Sequence, residues 1–471
     1  MSLKRSFLYS SITNYGEILI QFFASIIIAR LLTPEEIGVF SVAISLIGFA
    51  HLIRNFGIGE YLIQEKKLTP SKTRSAFTLT LLLAWILAAI IYFSRQSVAA
   101  FYNEPGIARV FEIITINFIL IPFGANSISI MRRNMRFDQI MLINLMSALV
   151  GASTGIICAL KGMSYLSLAW GAIAGTSITI LGAIFYSPKE FIFRPGFSDL
   201  KAVIHYGSFS SINQILQHLS TTAPDIILGK LQNMYSVGIF SRATGTLNII
   251  ATILVNGIRP ILMPYFAQID RENKQLDEQY LKLVSIATLI IWPVIILAIF
   301  LAPNIISLLY GDQWLEAVPI LQILAFEGFL WPFTLFAEDL LKATGNVKKL
   351  AKMESIISPI RFTAIIIAAP YGLKYVALAS VITSFIKYLL FLLLLKKINI
   401  RTIPQIRIII YNIIHITPAA IIIYLSKNYI IYNNNITSIL SNSILFFLSF
   451  TASFIIFQAP TYKELKKLLD K

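Results

Sequence analysis

Cysteine and charge are both scarce in this chain of 471 residues. Its single cysteine, Cys158, lies in an apolar stretch, which excludes a disulfide framework and a thiolate metal site. Charged residues make up only 13% of the chain and hydrophobic residues 56%, with a mean hydropathy of +0.75. Soluble proteins of this size are not so apolar, so the composition predicts a polytopic membrane protein.

Several signatures of enzyme chemistry are also missing from the sequence. The four histidines are scattered, and none has an aspartate five residues later; they are His51, His205, His218 and His415. The chain contains neither an Asp-x-Asp pair for a metal-bound sugar nucleotide nor a Walker A loop. No loop is long enough to form a folded catalytic domain. These absences argue against an enzyme, and we expect no metal site.

Basic residues exceed acidic ones, 39 against 23, which gives a formal net charge of +16. Their placement argues against nucleic acid as the partner, because most of them lie in alternate loops between apolar segments. By the positive-inside rule, this alternation places both termini and every basic loop in the cytoplasm. Anionic lipid head groups are then the expected partners of these loops.

Fourteen apolar segments are long enough to cross a bilayer, which takes about 20 residues. The predicted spans are 6–32, 36–63, 74–94, 106–131, 138–160, 163–186, 204–229, 234–267, 281–302, 316–341, 347–370, 372–395, 404–425 and 436–457. An odd number of spans would destroy the alternation of basic loops. The fold class we predict is therefore an all-α integral membrane protein with 14 transmembrane helices.

A degenerate repeat relates the two halves of the chain at a constant offset of 200 residues. Residues 28–41 read Ile-Ala-Arg-Leu-Leu-Thr-Pro-Glu-Glu-Ile-Gly-Val-Phe-Ser, and residues 228–241 read Leu-Gly-Lys-Leu-Gln-Asn-Met-Tyr-Ser-Val-Gly-Ile-Phe-Ser. The repeat predicts two similar lobes, and because it spans six helices both copies have the same orientation. We predict an N-terminal lobe over 1–203, a C-terminal lobe over 204–397, and two further helices with a basic tail over 398–471.

The start of the second span has a typical capping sequence. Thr33 is a residue type that caps helix N-termini, and Pro34 suits the first helical position. Glu36 follows Thr33 by three residues, which is the spacing of a capping box. The sequence therefore predicts a sharp turn and a new helix beginning at Pro34.

Polar side chains form matched stripes on the first and seventh spans. The first stripe comprises Asn14, Glu17, Gln21 and Ser25, and its repeat partners are Gln214, Gln217, Thr221 and Asp225. Lipid cannot form hydrogen bonds with such stripes, so each faces protein or water. Hydrogen bonding between helices explains one stripe, whereas matched stripes favour a shared polar cavity. Within that cavity, Glu17 and, as a weaker candidate, Asp225 would couple transport to Na⁺ or H⁺.

Two further stripes end in arginine. The second span has Ser41, Ser45, Gly48, His51, Arg54 and Asn55, and the eighth has Gly245, Asn248, Thr252, Asn256 and Arg259. Arg54 and Arg259 either extend to the lipid head groups or hold a pyrophosphate between them. The mid-membrane cations Arg242, Arg361 and Lys387 would guide such an anion outward, or pair with an acid such as Glu327. Besides these cations, the candidate substrate ligands are the amide residues of the stripes, Asn14, Gln21, Gln214, Gln217, Asn55 and Asn256.

Short motifs spread along the chain carry a resemblance to a known family. They are Ala-Arg-Leu-Leu-Thr-Pro-Glu-Glu-Ile-Gly-Val-Phe at 29–40, Arg-Arg-Asn-Met-Arg-Phe at 132–137, Pro-Tyr-Phe at 264–266, Leu-Leu-Tyr-Gly-Asp-Gln-Trp at 308–314, and the stretch 340–346. Their order and spacing resemble the polysaccharide biosynthesis exporters, which are the O-antigen and exopolysaccharide flippases of the multidrug/oligosaccharidyl-lipid/polysaccharide superfamily. The resemblance implies two six-helix lobes, related by a pseudo-two-fold axis along the membrane normal, with the last two helices appended.

Three functions remain open on this basis. The resemblance implies a flippase for an undecaprenyl-pyrophosphate-linked oligosaccharide, monomeric in the bacterial inner membrane, working beside a polymerase and glycosyltransferases of O-antigen, capsule or exopolysaccharide synthesis. A multidrug/cation antiporter would need mid-membrane acids, but the chain offers chiefly Glu17 and Glu327 against five intramembrane cations. A basic interior suits a pyrophosphate better. An integral-membrane sugar-transferring enzyme is the third and weakest candidate.

Overall fold

The computed structural model of the protein describes residues 3–55, 57–187, 194–255, 259–272, 275–398, 400–429 and 435–456. Within these ranges the chain is helical apart from short turns, and it contains no β-strand. The chain forms two compact units, Met1–Gly238 and Ile239–Lys471. We call them unit 1 and unit 2. The all-α class predicted from the apolar segments is confirmed, whereas the three predicted domain ranges stay predictions.

Unit 1 has nine complete helices among its described residues. They are α1 (Leu3–Leu31), α2 (Pro34–Asn55), α3 (Ile58–Gln64), α4 (Pro70–Tyr102), α5 (Pro105–Leu120), α6 (Pro122–Arg133), α7 (Phe137–Leu160), α8 (Leu166–Phe185) and α9 (Leu200–Leu231). A tenth, α10 (Met234–Val255), begins in unit 1 and continues into unit 2.

Two of the predicted spans in unit 1 are broken rather than continuous. The span 36–63 comprises α2 and α3, which are separated at Gly57, whose φ of 63° is left-handed. Glycine adopts this conformation without steric cost. The span 106–131 comprises α5 and α6, which meet at a bend of 51°. The bend occurs where Pro122 cannot donate a backbone N–H to the preceding turn.

The described part of unit 2 contains eight further helices. They are α11 (Arg259–Arg271), α12 (Leu276–Tyr310), α13 (Ala317–Leu324), α14 (Trp331–Ala343), α15 (Val347–Ala368), α16 (Leu373–Lys396), α17 (Ile403–Tyr429) and α18 (Asn435–Ile456). A 3₁₀ segment, Ala325–Leu330, joins α13 to α14, so the predicted span 316–341 is also irregular in its middle.

Eleven helical segments of the described chain are long and apolar enough to cross a membrane, when α2 with α3 and α13 with α14 each count as one segment. A twelfth is added if the bent pair α5–α6 is one span. Large apolar side chains are also displayed outward on these helices, such as Phe93, which is 78% exposed, and Phe185, which is 81% exposed. Such surfaces require lipid rather than water around them. The chain is therefore a multi-pass membrane protein, and the number 14 stays a prediction.

The predicted turn between α1 and α2 is confirmed in detail. The backbone N–H of Thr33 donates to Glu36 Oε2 at 2.8 Å, and the backbone N–H of Glu36 donates to Thr33 Oγ1 at 3.3 Å. This reciprocal pair is the capping box. At the equivalent place in the second copy, Asn233 Oδ1 accepts from the backbone N–H of Ser236 at 2.9 Å. Different residues thus cap the two copies of the same turn.

The glycines that the repeat aligns, Gly38 and Gly238, lie where the first turns of α2 and α10 touch backbone to backbone. A Cβ at Gly38 would be 1.8 Å from the carbonyl oxygen of Met234, and one at Gly238 would be 1.9 Å from that of Pro34. The contact is reciprocal, because Pro34 and Met234 are themselves partners at the offset of the repeat. Since main-chain atoms cannot move aside, both positions require glycine.

A second close contact joins α7 to α8. A Cβ at Gly171 would be 2.8 Å from the carbonyl oxygen of Gly151, and a Cβ at Gly151 would be 3.0 Å from that of Gly171. Gly155 and Gly175 continue this glycine seam one turn along, and Ser147 Oγ donates to the Gly175 carbonyl at 2.7 Å. Small residues at four-residue spacing let transmembrane helices approach this closely.

Candidate functional site

Unit 1 contains a polar cavity of about 420 Å³, which we call the N-terminal cavity. It is bounded by residues of α2, α3, α4, α6, α7, α8 and α9. Its polar and charged lining residues are Arg54, Asn55, Glu60, Thr80, Asn126, Ser129, Arg132, Asn144, Thr176, Thr179 and Gln214. Three of the residues predicted from the sequence to bind substrate, Arg54, Asn55 and Gln214, are therefore brought together here.

Two donors that line the N-terminal cavity are buried and have no hydrogen-bond partner within the described residues, Arg54 Nη1 and Asn126 Nδ2. The opposite ends of both side chains are fixed. Arg54 Nη2 donates to Asn55 Oδ1 at 2.7 Å, while Asn126 Oδ1 accepts from Thr80 Oγ1 at 3.1 Å. An unpaired buried donor is costly, so both groups are suited to an oxygen-rich ligand.

The lining of the N-terminal cavity has a net positive charge, because Arg54 and Arg132 face a single acid, Glu60. The predicted coupling residue Glu17 lies close to this lining. Its half-buried carboxyl is within hydrogen-bonding reach of Asn144 and lies in the field of Arg132. A carboxylate, a cation and a polar cavity are thus adjacent within unit 1.

The outer part of the α2 stripe makes contacts between helices instead of lining this cavity. Ser45 Oγ donates to Asp225 Oδ2 of α9 at 3.1 Å, and the Ser45 carbonyl lies 3.1 Å from His218 Nε2. Gly48 leaves room for the His218 ring, since a Cβ there would be 2.3 Å from Nε2. For Ser45 and Asp225, hydrogen bonding between helices therefore accounts for the polar stripe.

In unit 2, the predicted anion ligand Arg259 has acidic neighbours. Its Nη2 lies 3.3 Å from Glu338 Oε1, and its Nε lies 3.7 Å from Asp339 Oδ2, both on α14. Lys342 also contacts Glu338 Oε1, at 2.6 Å. Two cations and two acids make this cluster neutral as a whole. Arg259 is thus neutralised, whereas Arg54 has no acidic partner among the described residues.

Two of the other three charged candidates in unit 2, Arg361 and Lys387, are also paired with acids. Arg361 Nη2 lies 3.5 Å from Glu327 Oε1, which is the pairing that the sequence offered as the alternative to substrate guidance. Lys387 on α16 forms a direct ion pair with Glu354 on α15, whose side chain is only 2% exposed. The sequence did not identify Glu354, because it lies in a charged-looking helix end beside Lys352.

Arg242 has aromatic neighbours instead of an acid in the described chain. Its guanidinium carbon lies 4.7 Å from the ring centre of Tyr310 and 4.9 Å from that of Trp314. Both rings belong to the 308–314 motif, and the Tyr310 hydroxyl also accepts from Thr246 Oγ1 at 3.2 Å. The motif therefore holds one buried cation between two aromatic faces.

The remaining predicted ligands are less enclosed. Asn14 and Gln21 are exposed on α1, and Gln217 is half-buried on α9. Asn256 lies outside the described residues. The sequence missed Asn126 and Asn144 as cavity residues, although isolated amides within apolar spans are the signal that would have identified them.

One apparent enzyme motif does not form an active site. Residues 151–155 read Gly-Ala-Ser-Thr-Gly and match the Gly-x-Ser-x-Gly pattern of serine hydrolases. In those enzymes the serine lies on a sharp strand-to-helix turn, whereas here all five residues lie inside the continuous helix α7. The glycines of this segment serve the α7–α8 seam instead.

Comparison with curated proteins identifies distant relatives in glycan synthesis. The lipopolysaccharide biosynthesis protein WzxC of Escherichia coli is 21% identical over 308 residues, which cover 64% of this chain and 62% of that protein. The teichuronic acid biosynthesis protein TuaB of Bacillus subtilis is 24% identical over 290 residues, which cover 60% of this chain and 59% of that protein. The chain thus spans about three fifths of the length of these relatives.

Solved structures show which fold the helices form. The lipid II flippase MurJ in an inward closed conformation matches with a TM-score of 0.79 and 16% identity, covering 98% of this chain and 99% of that one. An inward-facing multidrug resistance MATE family transporter matches with a TM-score of 0.66 and 15% identity, covering 80% and 92%. At these identities the likeness shows a shared MurJ- and MATE-like fold alone.

A family model provides the remaining finding. The model described as polysaccharide biosynthesis protein matches residues 27–319, which is more than half of the chain. The matched region begins at the 29–40 motif and includes the 132–137, 264–266 and 308–314 motifs, so the resemblance predicted from the sequence is confirmed. The chain belongs to the polysaccharide biosynthesis protein family.

Proposed function

We propose that this chain is a flippase that moves an undecaprenyl-pyrophosphate-linked oligosaccharide from the cytoplasmic to the periplasmic or outer leaflet. The family and the names of its relatives, a lipopolysaccharide biosynthesis protein and a lipid II flippase, support the proposal. The observation that carries it is the N-terminal cavity, which is polar and net positive. Two of its buried donors have no hydrogen-bond partner in the described part of the chain.

The chemistry of that cavity suits a pyrophosphate joined to sugars. A guanidinium binds phosphate oxygens through charge-assisted hydrogen bonds, and Arg54 Nη1 has no hydrogen-bond partner among the residues that the structure describes. Arg132 adds a second positive charge to the same lining. Side-chain amides and hydroxyls such as Asn126, Asn144 and Thr179 offer partners to sugar hydroxyls. A net positive lining suits this anion better than a cationic drug.

The finer architecture that we propose comprises 14 transmembrane helices in two six-helix lobes, related by a parallel pseudo-two-fold repeat, plus two C-terminal helices. Both termini are cytoplasmic, and the protein works by alternating access in the bacterial inner membrane. The offset repeat and the alternation of basic loops support these statements. The polymerase and glycosyltransferases of one polysaccharide pathway are its proposed partners.

The test of this function replaces Arg54 in a cell that depends on the protein for its surface glycan. Arg54→Ala should abolish export and cause full-length lipid-linked oligosaccharide to accumulate in the cytoplasmic leaflet. Arg54→Lys should retain partial export, because the charge remains but the bidentate geometry is lost. Surface glycan and lipid-linked intermediates are the quantities to measure.

Arg95→Ala is the matched control, since Arg95 is a half-buried arginine of unit 1 that stacks on Tyr92 and does not line the cavity. Normal export by Arg54→Ala would show that Arg54 does not form the proposed anion site. Loss of drug resistance with normal glycan export would favour the multidrug/cation antiporter, and truncated intermediates would favour a sugar-transferring enzyme.

We propose further that Glu17 couples export to Na⁺ or H⁺, because its carboxyl is hydrogen-bonded to the lining residue Asn144 and lies in the electrostatic field of Arg132. Glu17→Gln should keep substrate binding but lose the dependence of export on the ion gradient. Flipping measured in vesicles with and without an imposed gradient tests this. Glu112→Gln, on an exposed position of α5, is the control, and an unchanged gradient dependence in Glu17→Gln would exclude the role. Asp225, already bonded to Ser45, is the weaker candidate.

A further inference from the structure

Unit 2 contains a second charged cavity, of about 330 Å³, at the beginning of α12 and α17. It shares no residue with the N-terminal cavity. Three of its lining residues are cations, Lys282, Arg401 and Arg407, and one is an acid, Glu278. The lining thus has an excess of positive charge, and we call this site the α12–α17 cavity.

The cations of the α12–α17 cavity are not all neutralised by protein. Arg401 is held through Nε by Asp277, one residue before Glu278. Lys282 and Arg407 have no ion pair with any acid in the described part of the chain. Two cations beside a half-enclosed cavity are therefore left to bind a mobile anion.

Two polar side chains that line the same cavity, Ser285 and Asn412, are buried. Ser285 is 4% exposed, and its Oγ has no hydrogen-bond partner within the described residues. Its neighbour Asn412 is 2% exposed and is fixed by a 2.7 Å hydrogen bond from Nδ2 to Thr288 Oγ1. Both α12 and α17 also begin here, and the free N–H groups at helix N-termini favour negative charge.

The outer surface of α17 beside this cavity is apolar and exposed. Ile403, Ile406, Ile410 and Ile413 are between 51% and 71% exposed and follow each other at steps of three and four. In a membrane protein this stripe lies against acyl chains. A phospholipid has a charged head group and apolar acyl chains. The charged cavity at the end of α17 suits the head group, and the apolar stripe along the same helix suits the acyl chains.

We propose that the α12–α17 cavity binds the phosphate of an anionic membrane phospholipid, whose acyl chains lie along the isoleucine stripe of α17. Lys282 and Arg407 contact the phosphate, and Ser285 Oγ donates to it. The site lies on the side predicted from basic loops to be cytoplasmic, where basic cavities between transmembrane helices bind anionic head groups. This site is separate from the substrate site of the proposed function.

The test measures lipid binding by the purified full chain with native mass spectrometry. Dioleoyl phosphatidylglycerol is the probe, and dioleoyl phosphatidylcholine is the neutral comparison. K282Q/R407Q should weaken phosphatidylglycerol binding on the order of 25-fold, since each basic residue contributes about fivefold. Ser285→Ala, which disturbs no charge, should weaken it about fivefold through the lost hydrogen bond. Phosphatidylcholine binding should not change in either variant.

K348Q/K349Q removes the same charge from two exposed lysines at the start of α15 and is the matched control. The proposal would be overturned if this control and K282Q/R407Q lost the same amount of phosphatidylglycerol binding at similar thermal midpoints. It would also be overturned if K282Q/R407Q and Ser285→Ala both bound phosphatidylglycerol as the parent does. Farnesyl pyrophosphate is the stand-in for a substrate head group. If the cavity bound farnesyl pyrophosphate in preference to phosphatidylglycerol, its occupant would be the substrate head group and the phospholipid proposal would be wrong. Because no transport is measured, failure here leaves the proposed flippase function untouched.

Discussion

Three arginines that follow one another closely in the 132–137 motif have three different structural roles. Arg132 lines the N-terminal cavity. Arg133 donates from Nη1 to the carbonyls of Leu62 at 3.0 Å and Ile63 at 3.1 Å, and so caps the end of α3. Arg136 Nη1 donates to the Tyr186 carbonyl at the end of α8 at 3.1 Å. A basic loop motif is thus mostly structural, and only its first residue faces the site.

This division predicts opposite phenotypes for neighbouring substitutions. Arg132→Ala should lower glycan export while leaving the thermal midpoint unchanged, because it removes a cavity charge. Within the described residues the Arg132 side chain makes no hydrogen bond to a helix end, unlike Arg133 and Arg136. Arg133→Ala should lower the free energy of unfolding by about 1–2 kcal/mol, because the carbonyls at the end of α3 lose their donor. Export assays and thermal denaturation in detergent separate the two effects. The same phenotype for both variants would contradict the division.

Sequence alone identified some residues of the site and not others, for a physical reason. Arg54, Asn55 and Gln214 were predicted because a polar residue on an apolar span is visible locally. The neutralisation of Arg259 was not, because Glu338 is 79 residues away and only the packing of α11 on α14 brings them together. Charges can be counted from sequence, but the pairing that determines which charge remains free depends on tertiary contacts.

At the scale of helices, the ion pair between Glu354 of α15 and Lys387 of α16 stabilises the fold, and breaking it lowers the free energy of unfolding. Glu354 is 1% exposed, so it cannot be solvated if Lys387 is removed. Breaking a buried pair from one side costs more than removing both partners, because the remaining charge is uncompensated. The pair therefore has to be tested from both sides.

Lys387→Met should lower the free energy of unfolding by about 3–5 kcal/mol, and adding Glu354→Gln should restore most of that loss. Thermal or denaturant unfolding in detergent measures both variants. A single variant as stable as the parent, or a double variant no better than the single one, would contradict the pairing. Export by the restored double variant would also show that Lys387 has no role in guiding the substrate.

Helix existence was predictable from apolar run length, but helix continuity was not. Every predicted span coincides with a helix or a helix pair in the described chain, including α5 with α6. The breaks at Gly57 and Pro122 depend on single residues, and the effect of such residues varies with their surroundings. Pro293 and Pro303, for example, lie inside α12 without interrupting it. The capping box at Thr33 was predictable because its two partners are three residues apart.

At the scale of the whole molecule, the distribution of basic loops predicts the orientation in the membrane. Reporter fusions after Lys67 and Lys282 should be active as cytoplasmic fusions, whereas fusions after Lys161 and Lys374 should report the outside. The physical reason is that basic loops resist translocation. Alkaline phosphatase and green fluorescent protein fused at the same sites provide opposite readouts and so control for expression. A reversed signal at any one site would contradict the predicted number of spans.

The glycine seam between α7 and α8 has a consequence for biosynthesis. The two helices are consecutive and joined by the short turn 161–165, so bringing them together costs little chain entropy. Their contact is made by main chain and glycines, and it needs no later helix to be complete. This hairpin can therefore lock soon after it leaves the ribosome. The wall formed by Asn144, Thr176 and Thr179 is then ready before α9 is synthesised and adds Gln214 to it.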